Sequence, residues 1–470
     1  MKKTFILLLL FTSITAKSAE PLKIGNDIQL MWDASMIESR TDGFFKYHRP
    51  VPQGVAITTD APWEGNVSAY FTFLQDGDEY RAYYRGSHYD TRRKVVTHRE
   101  VTCVAISKDG INWKKPDLGI WDFNGSKQNN IVWDGIGTHC FAPFIDHNPN
   151  CPQTERYKAI SRGRYVSGDF EVPDRQKGIV GLYLFTSPDG LNWKLKSPKP
   201  VITDGAFDSQ NLAFWDTNKN KYVCYSRLFI GGVRAIQYCD SSDFINWSKP
   251  APITYEKDYR EHLYTNAIQQ YPRNPNVYIG LPTRYLPEED SRVEPIFMHS
   301  HDGFIFQRNQ NPFIPESFPK DRSGNRSNYA CRGILSLPHS DETFSIYASE
   351  AYYTGTDSRV RRFEIRKDGF ISLSTTAQSQ IVTKPVLIEG NTIFLNSHTH
   401  GKGGIWLELL DENNRPIPGF TKRDTNRLNG NSIHNEVTWK QERTLKELRG
   451  KAVKILITLS NSDIYSLQIK

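Results

Sequence analysis

Cysteine is scarce in this chain, helical periodicity is almost missing, and long apolar runs are confined to the N-terminus. Six cysteines in 470 residues exclude a disulfide-dense scaffold. The lack of any Cys-x-x-Cys or tight Cys/His cluster argues against a zinc site. Heptads are absent, which excludes a coiled coil, and the 32 glycines are dispersed, which excludes collagen. No basic run exceeds Arg92-Arg93-Lys94, so a nucleic-acid partner is not expected. Beyond the N-terminus nothing approaches the roughly 20 apolar residues of a membrane helix. Hydrophobic content of 38% with 24% charged residues fits neither a membrane bundle nor a disordered chain.

At the N-terminus, Lys2 and Lys3 precede an apolar run from Phe5 to Phe11, followed by Ala16-Lys17-Ser18. That order predicts a secretory signal over residues 1–19, and a secreted or periplasmic product. Its removal takes three lysines and lowers the formal charge from +7 to +4. Export permits disulfides, with Cys224–Cys239 and Cys140–Cys151 as candidate pairs.

Aromatic and β-branched residues are abundant instead. Ten Trp, 23 Tyr and 25 Phe fall in short runs separated by Gly, Asn, Asp and Pro, which reads as all-β. A short motif recurs along them. Ser107-Lys-Asp109-Gly110-Ile-Asn-Trp113 returns as Ser187-Pro-Asp189-Gly190-Leu-Asn-Trp193. It returns in altered form at Ser241–Trp247, Ser300–Phe306 and Arg366–Ser372. Asp and Gly supply a tight turn, and the aromatic packs beneath it. Upstream of each copy, a strand-like run ends at an equivalent position: Arg85, Arg162, Arg227, Arg284 and Glu350.

Five strand–turn–strand units of this length predict a five-bladed β-propeller over 56–378. Residues 20–55 should close the ring or pack against a C-terminal sandwich. Alternating strands over 380–470 predict a C-terminal β-sandwich.

In a propeller, recurrent positions of different blades meet around one axis. The carboxylates so placed are Asp60, Glu64, Asp208 and Glu350, and a pair of such groups is what glycoside hydrolysis needs. Arginines facing Glu350 predict a lowered pKa there, while Trp63 beside Glu64 predicts a protonated acid. Arg85, Arg162, Arg227 and Arg284 could form a cationic ring for carboxylate or sulfate. Trp63 and Tyr352 could stack on a sugar, and His139 could contact it. For each residue the structural alternative is a turn acid, a salt-bridge partner or a core side chain.

The repeat followed by a sandwich resembles the five-bladed glycosidases of families 32, 43, 68 and 117, notably exported family 32-like proteins. Trp63-Glu64-Gly65 followed by Tyr80-Arg-Ala-Tyr-Tyr is similar to the family 43 segment that carries the acid. Asp208 sits where that superfamily places an inner-strand Asp. The Trp-Asn-Asp-Pro-Asn-Gly, Arg-Asp-Pro and Glu-Cys motifs of family 32 enzymes are absent, so fructoside specificity is not implied. The resemblance implies a glycoside hydrolase acting on an oligo- or polysaccharide, with acidic or sulfated saccharides favoured by the arginines. It implies no cofactor, and leaves a structural or axial calcium open. A glycan-binding propeller without catalysis and a sialidase-like enzyme are the alternatives.

Overall fold

The repeated motif folds as one recurring turn. In the first copy Asp109 Oδ1 accepts the amides of Ile111 and Asn112 at 2.8 and 2.7 Å, Ser107 Oγ accepts that of Gly110 at 2.9 Å, and the Trp113 indole donates to Gly110 O. The copies at Ser187 and Ser300 repeat the Ser and Asp bonds. The pivot needs positive φ, met by Gly110, Gly190 and Gly303 at 69°, 76° and 74°, and by Phe244 at 68° in the copy that lost its glycine. The fifth copy departs: Asp368 takes φ of 60°, and its carboxylate accepts Tyr271 Oη and Arg273 instead.

The computed structural model describes residues 20–165, 178–257, 260–289, 291–315 and 328–470, a chain of strands with four short 3-10 turns and no α-helix among the described residues. The export segment expected over 1–19 lies outside them. By internal contacts the chain divides into Tyr47–Phe370 and a second unit formed by Ile371–Lys470 with the residues up to Lys46.

Tyr47–Phe370 holds sheets in a propeller-like arrangement: four of four strands, one of seven with a parallel edge pairing of Thr254–Tyr255 on Ile305–Pro312, and a two-stranded ribbon. The innermost strands of the five larger sheets are Ala69–Asp76, Ala142–Ile145, Leu212–Asp216, Gln269–Tyr271 and Tyr329–Ala330. Each sheet touches the next through its turn. Tyr83 donates to Gly190 O, Phe144 packs on Phe244 at 5.7 Å, Tyr225 donates to Gly303 O and Tyr271 bonds Asp368. Tyr347 of the last sheet donates to Gly110 O of the first at 2.6 Å. Val51–Thr58 supplies the outermost strand of the last sheet, pairing with Arg359–Arg366, so the two ends of this unit share one sheet.

Strands flanked by neighbours on both faces read as continuous apolar runs. Glu79–Gly86 is such a strand, with Ala82, Tyr83 and Tyr84 fully buried. Phe73 stacks on Tyr347 at 3.8 Å and Phe71 on Tyr84 at 4.7 Å. Truncating one of these rings removes about 3–5 kcal/mol.

In the second unit, Ile37–Arg40, Ile371–Thr383, Ala452–Ile469, Ile393–Leu410 and Asn431–Glu436 lie side by side in that order. Ile405, Leu407 and Leu409 face one core with Ile455, Ile457 and Leu459. The limit expected at 378–380 falls inside the strand Ile371–Thr383, and the division between units falls after Phe370.

Candidate active site

All five inner strands run the same way. Their N-terminal approaches carry Tyr70, His139, Asp208, Tyr264 and Tyr329, and their C-terminal ends carry Leu74, Ile145, Trp215, Gln270 and Arg332. Antiparallel pairing brings the end of each second strand, and the start of each third, to the same rim as the start of the first. On that rim opens a pocket of about 810 Å³, lined among others by Tyr70, Arg85, Glu100, Asp134, His139, Arg162, Asp208 and Tyr352.

His139 stands between two carboxylates. Its Nδ1 lies 2.9 Å from Glu100 Oε2 and its Nε2 lies 2.8 Å from Asp208 Oδ1. The ring is set by a short 3-10 turn over Thr138–Cys140 that follows Gly137 at φ 92°. A side chain at Gly137 would run into the Phe185 ring. Burial and Arg85 disfavour the imidazolium, but Glu100 and Asp208 outweigh them and raise the His139 pKa. The hydrogen bond from His139 holds Asp208 below the ordinary carboxylate range, helped by Arg162 and Arg227. Burial pushes Glu100 up, yet Arg85 and His139 bring it down to about 2. Each ring nitrogen faces a carboxylate oxygen, and Arg85 Nη1 lies 3.1 Å from Nδ1 and 3.3 Å from Nε2.

Arg85 is anchored behind this array. It donates to Val67 O at 2.7 Å and Tyr352 Oη at 3.0 Å, lies over the Tyr70 ring, and passes 3.5 Å from Glu100. Arg99 pairs with Asp134 at 2.7 Å across the mouth.

The structure thus brings together Asp208, Arg85, His139, Arg162 and Tyr352 among the residues expected from sequence. It puts the others elsewhere. Glu64 is fully buried, accepting Tyr84 Oη at 2.5 Å, Lys115 Nζ at 2.6 Å and the Ala61 amide at 3.0 Å. Asp60 shares Lys115 at 2.7 Å, and both acids border a separate pocket of about 340 Å³. Trp63 packs on Phe123 and donates to Asn130.

Glu350 is buried against Arg361 at 2.7 Å and Arg359 at 3.2 Å. Where those arginines alone predict a lowered pKa, burial outweighs them and raises it. Arg227 donates to Ala206 O and lies over Tyr264. Arg284 is bonded by Glu294 and Glu261. Of the four arginines expected in one ring, Arg85 and Arg162 line the pocket.

Glu100, Asp134, Arg99, Arg164 and Tyr70 join the pocket without having been marked by the repeat. Glu100 had one usable signal: it immediately precedes the third strand, Val101–Ser107, and therefore sits on the rim.

The cysteines are free thiols. Cys224 and Cys239 face each other across adjacent strands, whereas Cys140 points to Phe207 O and Cys151 to Glu155 O. In the second unit His398, His400 and Asp463 bring one ligand atom each within 4.8 Å of one another. Lys46 lies 3.7 Å from the same carboxylate.

No family model matches the chain, and no curated protein does. Solved structures of propeller glycoside hydrolases resemble it. One is a thermostable family-43 glycoside hydrolase, 12% identical, covering 70% of this chain and 96% of that one with a TM-score of 0.45. Another is the Bombyx mori GH32 β-fructofuranosidase, 11% identical over 90% and 94%, TM-score 0.42. A third is the catalytic domain of the Coprinopsis cinerea GH62 α-L-arabinofuranosidase, 10% identical over 67% and 97%, TM-score 0.44.

Proposed function

We propose that the chain is an exported glycoside hydrolase, built as a five-bladed propeller with a C-terminal β-sandwich. Its reaction centre is Asp208–His139–Glu100. The observation that carries the reading is the His139 imidazole held 2.8 Å from the Asp208 carboxylate on the wall of a large aromatic pocket. Hydrolysis of a glycosidic bond needs one group to give a proton to the leaving oxygen and one to take a proton from water or attack directly. His139 carries the proton and Glu100 orients its ring. Asp208, whose side chain is 59% exposed, moves off His139 as substrate enters and acts as base or nucleophile. Tyr70, Tyr264, Tyr352 and Tyr353 offer flat faces to a sugar.

The lining carries Arg85, Arg99, Arg162 and Arg164 against Glu100, Asp134 and Asp208. With His139 protonated this is an electropositive pocket, which supports a preference for acidic or sulfated saccharides. The reading is tested by incubating the mature protein with neutral, uronic and sulfated oligosaccharides and following new reducing ends. Asp208→Asn and His139→Gln should each lower turnover by on the order of 10²-fold or more. Saturable binding without product, unchanged in both variants, would make the pocket a glycan-binding site instead.

A further inference from the structure

At the other end of the inner strands lies another cavity, of about 260 Å³, lined by Phe73, Phe144, Phe214, Trp215, His147 and Arg332 among others. Its walls are aromatic and aliphatic, with three glutamines, one histidine and one arginine, and no carboxylate. Arg332 enters from the last sheet: its amide donates to Phe71 O and its carbonyl accepts from Phe73. The side chain spans to the second sheet, where Nη1 comes 3.5 Å from Pro143 O. The residue is 9% exposed, and its Nε has no hydrogen-bond partner.

Four other buried arginines of this unit have carboxylates, and Arg227 bonds Ala206 O and lies over the Tyr264 ring. Arg85 has Glu100, Arg284 and Arg308 share Glu261, and Arg362 has Glu364. Burial acts on Arg332 without any compensating charge and lowers its pKa to about 10. The same guanidinium, together with burial, keeps His147 below its ordinary value. A buried cation lacking a counter-charge is costly, and an anion that reaches it recovers that cost.

We propose that this cavity is an anion site, and that Arg332 binds the carboxylate of a small organic monoanion there. One guanidinium balances one negative charge, so a dianion would bring an uncompensated charge into an apolar chamber. The planar fork of Arg332 suits a carboxylate, and the aromatic walls suit an apolar body attached to it. The site stands apart from the pocket of Asp208. Gln210 lies between the two, donating to Tyr70 O and Phe71 O at 3.0 and 3.1 Å.

The probe is sodium benzoate, with sodium acetate and sodium chloride at equal ionic strength, read by thermal melting and calorimetric titration of the whole mature protein. Benzoate should bind with a stoichiometry near one and raise the melting temperature by roughly 2–4 °C, acetate less and chloride least. Arg332→Met should abolish the benzoate response, and Arg332→Lys should weaken binding about tenfold or more by losing the fork. Arg162→Ala should leave it intact, which separates this cavity from the opposite pocket. Benzoate binding that disappears in Arg162→Ala overturns the assignment, as does a chloride response equal to that of benzoate. A wild-type protein that does not respond to benzoate also overturns it. If Arg332→Met does not fold, the wild-type, Arg332→Lys and Arg162→Ala titrations decide.

Discussion

His139 Nε2 and Asp208 Oδ1 sit 2.8 Å apart, and the same imidazole reaches Glu100 through its other nitrogen. The array titrates in opposite senses at its two ends. The raised His139 pKa contributes stability that is complete below its unfolded value of 6.5 and lost as pH rises through the folded value. Glu100, lowered to about 2 from 4.5, contributes stability that is complete above 4.5 and lost as pH falls through about 2. Melting temperature measured against pH should therefore plateau between about 4.5 and 6.5. In His139→Gln the decline above 6.5 should flatten. An unchanged alkaline limb would show that His139 is not held as the imidazolium.

Glu64 belongs to a buried ion pair, and its variants should report on folding before chemistry. Replacing it by Ala strands Lys115 and Tyr84, at a cost of about 3–5 kcal/mol for breaking a buried pair from one side. Glu64→Ala should melt well below wild type, while its activity per folded molecule stays within a few-fold. A folded Glu64→Gln protein with turnover lowered 10²-fold would instead return Glu64 to the reaction.

The turn acids give a cleaner stability series. Asp189 is held at about 2 because the amides and side chains it accepts outweigh its burial. In Asp243 the Asn246 amide leads, with the same result. Lowered carboxylates stabilise above their unfolded pKa and lose that contribution as pH falls through the folded one, here between about 4 and 2. Asp189→Ala should lose about 1–2 kcal/mol near neutral pH, and the more exposed Asp243→Ala about 1 kcal/mol or less. They sit in different sheets, so the double variant should be additive by chemical denaturation.

The repeat made the turns readable because Asp, Gly and Trp act within seven residues, where sequence distance is spatial distance. The same repeat marked strand ends without saying what lies opposite. Arg284 faces Glu294 directly across its strand pair, and Glu350 faces Arg359. Those partners depend on register, which one chain read in order does not display. Glu100 is a one-off residue in no repeated position, and its role depends on His139 arriving from another sheet. Arg332 was invisible for the same reason: only the convergence of five strands turns it from an ordinary strand residue into a buried cation.

The thiols offer a count. Cys103, Cys140, Cys224, Cys239 and Cys331 are buried and Cys151 is partly exposed, with burial raising its pKa. A thiol-reactive dye should label one cysteine in the native protein, slowly, and six after unfolding. Four after unfolding would report a bridge between Cys224 and Cys239, whose positions face each other in the sheet.

Substrate charge separates two arginines that the sequence treats alike. Arg162 lines the pocket and lowers the pKa of Asp208 and Glu100. Arg284 is held by Glu294 and Glu261 away from it. Arg162→Ala should therefore lower kcat/KM on uronic or sulfated oligosaccharides about tenfold more than on neutral ones. Added salt should narrow that gap, since screening shortens the field of a partly solvated pocket. Arg284→Ala leaves Glu294 buried without its partner, so it should lower the melting temperature and spare the ratio between substrates. Kinetics on a matched neutral and acidic pair at two salt concentrations read both effects. Equal loss on the two substrates in Arg162→Ala would make that arginine part of the scaffold and remove the case for an anionic glycan.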